Sequence, residues 1–295
     1  MVSPFRVCVH IVINPMFLYL FLQFRGGLDS KITGGKVLKK ASLLYRALKG
    51  TKRNQVIVLE RVKTGIPGLD ELIQGGIPVG SSCLIAGGAG TGKTIFATQY
   101  LYHGALDYNE PGLLVTLETN LKNIVWNMES FQWNIRKLQE KNMMRIYRLN
   151  LEKDAEDDDI ESRIDDELDI IAETVEEIGA KRLVIDTVTA FGIWVAKKAE
   201  LRSLLYHFTD KLKDLDVTTL LTTETSGIKS SFTGMGVEEF VVDGVVDLYF
   251  TPPNRAVFVK KMRGTNQSKY IHTFDINQTG IQVNPKDHLQ WDALK

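Results

Sequence analysis

Short apolar runs alternate with longer amphipathic stretches over most of this 295-residue chain. Residues 82–86, 113–117, 145–149, 182–186 and 217–223 are too short for helices and rich in branched or apolar side chains, so each predicts a strand. Between them the period changes. Ile160, Ile164, Leu168, Ile171, Val175 and Ile178 recur at helical spacing, as do Leu201, Leu204, Leu205, Phe208, Leu212 and Leu215. Residues 95–101 and a run from Leu121 predict two more helices. Strands alternating with helices predict an α/β fold with a mostly parallel, twisted sheet flanked by helices. Toward the end the spacing tightens: 245–250, 256–261 and 270–277 are separated by turns at Pro252-Pro253-Asn254 and Gly264-Thr265-Asn266. Connections that short require antiparallel strands at the C-terminal edge of the sheet.

Residues 1–55 break this pattern. Residues 7–24 are mostly apolar, centred on Phe17-Leu18-Tyr19-Leu20-Phe21-Leu22, but His10, Asn14, Pro15 and Gln23 interrupt a span of marginal membrane length. No small-residue cleavage site follows cleanly, which argues against a signal peptide. Three readings stay open: a weak anchor, a segment packed on the domain or a partner, and an artefact of the assigned start codon. Residues 34–54 fit a short basic amphipathic helix with Val37, Leu38, Leu43, Leu44 and Leu48 on one side. The chain is therefore divided into an N-terminal extension, 1–55, and a core domain, 56–295.

Composition changes little in this picture. Hydrophobic residues make up 44% and charged residues 24%, as in an ordinary soluble globular protein. The formal net charge is zero, so a polyanionic partner would need a local patch. Charge is nevertheless segregated. Lys36, Lys39, Lys40, Arg46, Lys49, Lys52, Arg53 and Arg61 make one stretch basic, and Glu156-Asp157-Asp158-Asp159 and Asp165-Asp166-Glu167 make another acidic. The acidic stretch is either the solvated face of its helix or a docking surface for a basic partner. Cys8 and Cys83 are the two cysteines and Cys83 falls in the first core strand, which argues against a disulfide and suits a reducing, cytoplasmic setting. The five histidines have no ligand spacing.

Chemistry is concentrated in Gly87-Gly88-Ala89-Gly90-Thr91-Gly92-Lys93-Thr94, which fits G-x-x-x-x-G-K-[ST] between a predicted strand and a predicted helix. The glycines let successive backbone N–H groups turn inward around phosphate oxygens, and the helix adds its positive end. Lys93 would reach the β- and γ-phosphates of ATP as the one cation of this cradle, and Thr94 would offer its hydroxyl to Mg²⁺. About ninety residues on, the apolar strand ending at Asp186 predicts a carboxylate beside Thr94 that holds Mg²⁺ directly or through water. Glu118 ends another buried strand at the same rim and would orient or deprotonate the attacking water; capping of the next helix is its structural alternative. Glu224 ends a third. Residues 226–236 form a loop with three glycines and three serines, read as a mobile switch or a contact for something threaded past it. ATP supply is cytoplasmic, so neither export nor a membrane partner is expected.

Arg61-Val62-Lys63-Thr64-Gly65-Ile66-Pro67-Gly68-Leu69-Asp70-Glu71-Leu72, then Gly75-Gly76-Ile77-Pro78 and the phosphate loop, resemble the opening of a KaiC-type ATPase domain of the RecA/RadA superfamily. Thr222-Thr223-Glu224, Gly236-Val237-Glu238-Glu239-Phe240 and Lys261-Met262-Arg263-Gly264-Thr265 resemble later motifs of that family, so the likeness runs over roughly 60–283. It implies a RecA-like P-loop NTPase fold with a single KaiC-type domain of the archaeal kind. It also implies a homo-oligomer, a hexameric ring, with nucleotide between subunits. A basic pair from the neighbour then reaches the γ-phosphate, and Lys261 and Arg263 match that pair. Alternation along one strand would turn both to one face, and a guanidinium suits charge developing on a transferred phosphoryl group. Glu118 matches the position of the catalytic glutamate, while Thr119 stands where KaiC-like domains carry a second one and Gln267 where they often carry a histidine.

The leading expectation is a slow Mg²⁺-dependent ATPase acting as an oligomer. Two alternatives belong to other classes. One is a nucleotide-liganded scaffold that recruits a protein partner with little turnover. The other is a recombination accessory protein binding single-stranded DNA through Lys229 and Phe232 of the 226–236 loop.

Overall fold

The computed structural model of the chain describes residues 59–117, 121–151, 160–225, 238–290 and 292. The extension 1–55, the acidic run 156–159, Glu118 and the loop 226–236 all lie outside the described residues.

The described elements follow in the order β1 (Arg61–Val62), α1 (Leu69–Leu72), β2 (Ile77–Pro78), β3 (Ser82–Gly87), α2 (Lys93–Asp107), β4 (Gly112–Thr116), α3 (Leu121–Glu129), α4 (Ile135–Glu140) and β5 (Met144–Arg148). Then come α5 (Ile160–Ile178), β6 (Arg182–Asp186), a 3₁₀ turn at Val188–Ala190, α6 (Phe191–Trp194), α7 (Lys198–Lys213) and β7 (Thr218–Glu224). The chain continues with α8 (Glu238–Val241), β8 (Gly244–Thr251), β9 (Asn254–Met262), β10 (Ile271–Asn277) and β11 (Gly280–Leu289).

Nine strands form one sheet in the order β11-β10-β9-β8-β3-β7-β6-β4-β5, and β1 and β2 pair separately. From β8 to β5 all neighbours are parallel. From β8 to β11 they are antiparallel. This is the α/β architecture expected: a mostly parallel sheet flanked by helices, with antiparallel strands at its C-terminal edge. Alternation sends successive side chains of a central strand to opposite faces. Ile85 and Val246 join the core under α2, α3 and α4, whereas Leu84 and Val245 join the core under α5 and α7.

Two differences from the sequence reading have local causes. The edge strand β11 was not anticipated, because Gln282, Asn284, Lys286 and Asp287 obscure its alternation and Pro285 interrupts it. An edge strand tolerates proline and presents one side to water. The helix α2 runs from Lys93 to Asp107, well beyond 95–101; its buried face continues through Gly104, which sits against Arg182 and carries no apolar signal, to Ala105. Among the described residues, no helix is long and apolar enough to cross a membrane.

The parallel register determines where chemistry can occur. Gly87 pairs with Glu224, and Thr116 with Asp186. The carboxyl ends of β3, β4, β6 and β7 therefore meet at one rim, where the phosphate loop departs.

Candidate functional site

The phosphate loop turns back on itself between β3 and α2. A Cβ on Gly87 would lie 2.6 Å from Thr91 Oγ1 and 2.7 Å from the Leu248 carbonyl oxygen, so the strand can leave the sheet there only as glycine. Gly92 has a φ of 103°, a left-handed conformation that suits glycine, and caps α2. Lys93 Nζ donates to Gly87 O at 3.0 Å and Gly88 O at 2.9 Å, and lies 3.9 Å from Glu224. The ammonium is thus held over the loop, at the amino end of a 15-residue helix.

Thr94, in the first turn of α2, donates its hydroxyl to Asp186 Oδ2 at 3.0 Å. The other carboxylate oxygen of Asp186 accepts from Thr222, and Thr187 Oγ1 donates to Thr222 O at 2.8 Å. This polar chain continues behind the rim. Thr189 Oγ1 lies 3.1 Å from Thr223 Oγ1 and accepts the Glu224 N–H at 2.8 Å, and Thr223 donates to the buried Glu238 at 2.8 Å. A hydroxyl can both donate and accept, so threonines fix the carboxylates of Asp186 and Glu238. Two hard oxygens, Thr94 Oγ1 and Asp186 Oδ2, converge on one point, a donor set that fits Mg²⁺ completed by phosphate oxygens and water. Among the described residues, no group of three or more His, Cys, Asp and Glu could hold a metal ion.

These groups line a cleft of about 630 Å³ that includes Gly90, Lys93, Thr94, Asp186, Glu224, Arg255 and Ile276. That volume suits a small ligand. Arg255 was missed by the sequence reading, which had Lys93 as the one cation of the cradle. Its Nη1 donates to Gly90 O at 2.8 Å and its guanidinium carbon lies 4.0 Å from the centre of the Phe250 ring. The signal available in the sequence was the tight Pro252-Pro253 turn. Because β8 runs parallel to β3, an antiparallel β9 must begin at the phosphate-loop rim.

Lys261 and Arg263 lie elsewhere. β9 ends at Met262, so Arg263 is past the strand and simple alternation does not place it. Its N–H still bonds to Asp243 O at 3.0 Å, and its Nη1 pairs with Asp243 Oδ1 at 2.8 Å. The register also shifts between Val245 and Val246, where Lys260 is the extra residue. Lys261 Nζ consequently reaches the carbonyl oxygens of Glu239, at 3.2 Å, and Val242, at 2.7 Å. Burial, and then the positive charge of Arg263, lowers the pKa of the Lys261 ammonium from its ordinary value. Asp243 N–H bonds to Ser82 O, which puts Arg263 level with the start of β3. At a strand rise of ~3.3 Å per residue that is roughly 16 Å below Gly87 along the sheet. The pair therefore occupies the rim opposite the chain's own phosphate loop.

Comparison with known proteins agrees with this fold. A family model described as KaiC ATPase matches residues 62–288. A UPF0273 protein of Methanocaldococcus jannaschii is 38% identical over 245 residues, covering 79% of this chain and 99% of that relative. The circadian clock oscillator protein KaiC of Acaryochloris marina is 34% identical over 254 residues, 84% of this chain but 48% of its own length. The chain thus spans about half of that clock protein. The crystal structure of a KaiC-like protein from Pyrococcus horikoshii OT3 superposes with a TM-score of 0.69 at 37% identity, covering 77% of this chain and 100% of that one. A phosphate loop at the carboxyl rim of a RecA-like sheet and a family match over most of the described core lead to one conclusion: the chain belongs to the KaiC ATPase family, whose domain spans residues 62–288.

Proposed function

We propose that the protein binds ATP with Mg²⁺ and hydrolyses it slowly, as a cytoplasmic homo-oligomer whose nucleotides lie between subunits. The observation that carries this reading is the 3.0 Å contact of Thr94 with Asp186 beside Lys93 in the cleft. Thr94 and Asp186 would hold Mg²⁺, which neutralises charge on the phosphate oxygens when bound. Gly87, Gly88, Ala89, Gly90, Thr91 and Gly92 supply the backbone cradle, and Lys93 faces the β- and γ-phosphates. In the reaction a water oxygen bonds to the γ-phosphorus and the bond to the β–γ bridging oxygen breaks, releasing ADP and phosphate. Glu118 takes the water's proton in this reading. Leu117, the last described residue before it, donates its N–H to Asp186 O at 3.0 Å.

The position of Lys261 and Arg263 supports the oligomer. Lying at the rim opposite their own loop, they would reach a neighbour's nucleotide in this reading, and a ring of six copies would close such contacts. Light scattering coupled to an ATPase assay, with and without nucleotide and single-stranded DNA, tests the proposal. It predicts a nucleotide-bound oligomer, slow phosphate release and no response to DNA. Retained nucleotide with no turnover would favour a regulatory scaffold with a protein partner, and DNA-stimulated turnover would favour the recombination accessory role.

A further inference from the structure

We propose that Asp243 is a positioning residue for the shared nucleotide site: its carboxylate aims the guanidinium of Arg263 at the γ-phosphate held by a neighbouring copy. The proposal rests on the shared-site reading above and adds to it a residue that does not itself touch the nucleotide.

Arg263 has little else to direct it. It lies past the end of β9, just before Gly264 with its φ of 68°, and its side chain is 63% exposed. A long side chain in that setting turns freely, and a cation that must meet developing charge is effective only when its direction is already set. Among the described residues, Asp243 is the one partner of this guanidinium, with Nη1 donating to Oδ1 at 2.8 Å. The backbone joins the same two residues, since the Arg263 N–H bonds to Asp243 O at 3.0 Å. One donor is spent on the carboxylate, and the rest of the fork stays available to phosphate oxygens.

Asp243 is itself fixed, as a group that orients another must be. Its side chain is only 17% exposed. Its N–H bonds to Ser82 O at 2.8 Å and its Oδ2 accepts the Ser82 N–H at 3.2 Å, so it is tied twice to the first residue of β3. Lys213, in the last turn of α7, lies 3.4 Å from the same carboxylate oxygen. A carboxylate alone would cancel the charge of Arg263, but this one stands among three cations, Lys213, Lys261 and Arg263. Glu239, the other acid beside Lys261, pairs with Lys260. The face therefore keeps a positive charge while the arginine keeps its direction.

Turnover and ATP affinity of Asp243→Asn, Arg263→Ala and the double variant, measured on the full chain, test this. Asparagine keeps an acceptor for Ser82 and loses the charge that holds the guanidinium. Turnover should fall about tenfold to a hundredfold, the scale of a catalytic group displaced by about an ångström. ATP affinity should stay within about twofold of the parent, because the variant's own Lys93 is intact. The double variant should be no slower than Arg263→Ala alone, since both substitutions remove one interaction. Asp243→Glu keeps the charge but moves it by one methylene; it should slow turnover in the same way, and it carries the test if asparagine impairs folding. In mixed oligomers Asp243→Asn should recover turnover with Lys93→Ala but not with Arg263→Ala, because Asp243 and Arg263 shape the same face offered to the neighbour. Parental turnover in both Asp243 variants, where Arg263→Ala is slow, would overturn the proposal and leave the shared site standing. Losses that multiply in the double variant would overturn it too, by giving Asp243 a separate structural role. If Arg263→Ala itself turns over at the parental rate, the shared-site reading fails and takes this one with it.

Discussion

The hydroxyl of Thr94 donates to Oδ2 of Asp186 across 3.0 Å, joining two residues 92 positions apart in the chain. One begins the helix after the phosphate loop and the other ends a buried strand two places away across the sheet. Only the parallel order β3-β7-β6 brings their oxygens together, and Thr222, on the strand between, fixes the other side of the carboxylate.

Replacing Asp186 with Asn keeps the shape and removes the charge that a divalent cation needs. The Mg²⁺ concentration for half-maximal ATP binding should rise about tenfold or more, the scale of a lost charged contact. Titration of a fluorescent ATP analogue against Mg²⁺ measures it. An unchanged midpoint would remove Asp186 from the metal site.

Gly104 lies in the last turn of α2 against the buried Arg182, whose Nε bonds to Glu110 at 2.7 Å and Nη1 to Tyr100 O at 2.8 Å. A Cβ there would sit 2.3 Å from Arg182 Nε, and the arginine is held on both sides. Gly104→Ala should therefore destabilise the domain by about 1–3 kcal/mol as overpacking, despite alanine's better helix propensity. Thermal unfolding should drop by roughly 2–4 degrees per kcal/mol. A stabilised variant would mean that the helix and Arg182 can separate.

Asp247 gives stability a pH dependence. Burial raises its carboxyl pKa from 3.8 to about 6, against the opposing attraction of Lys260. The folded state thus holds a proton that the unfolded chain releases. Its contribution is fully present below about 3.8 and is lost as pH rises through about 6. Asp247→Asn should gain stability relative to the parent between about pH 4.5 and 7.5, by up to ~2–3 kcal/mol. Urea unfolding at the two pH values checks this. A difference that does not change with pH would contradict the buried titration.

Much of this site was legible in the sequence because its parts are local. The loop motif is contiguous, and the strand predicted at 182–186 coincides with β6, Arg182–Asp186, because a run of buried apolar residues ending in a carboxylate is distinctive. Arg255 was not legible, since its relation to Gly90 spans 165 positions and arises only when the β8–β9 hairpin returns to the rim. The threonine chain from Asp186 toward Glu238 was hidden for the same reason: hydroxyls in strands look like ordinary β-formers until the register aligns them. Lys261 and Arg263 were taken to alternate on one strand, but the register shift near Lys260 and the strand end at Met262 set their directions instead.

Glu118 is tested by the amide. Glu118→Gln is nearly isosteric and cannot accept the proton, so ATP affinity should persist while turnover falls on the order of a hundredfold or more. Parental turnover would move the role to another group, with Glu224, 3.9 Å from Lys93, the first to examine.

The central claim is that each nucleotide site is completed by a second copy of the chain, and mixing two inactive variants tests it most directly. Lys93→Ala removes a subunit's own phosphate contact, and Arg263→Ala removes what that subunit offers its neighbour. Each variant alone should turn over little ATP. In mixed oligomers, an intact Lys93 from one parent faces an intact Arg263 from the other, so activity should return after subunit exchange. If both residues served the same subunit's site, every subunit would lack one of them and no mixture could recover. Restored turnover in oligomers shown to be mixed is the predicted result; its absence in such oligomers would contradict the shared site.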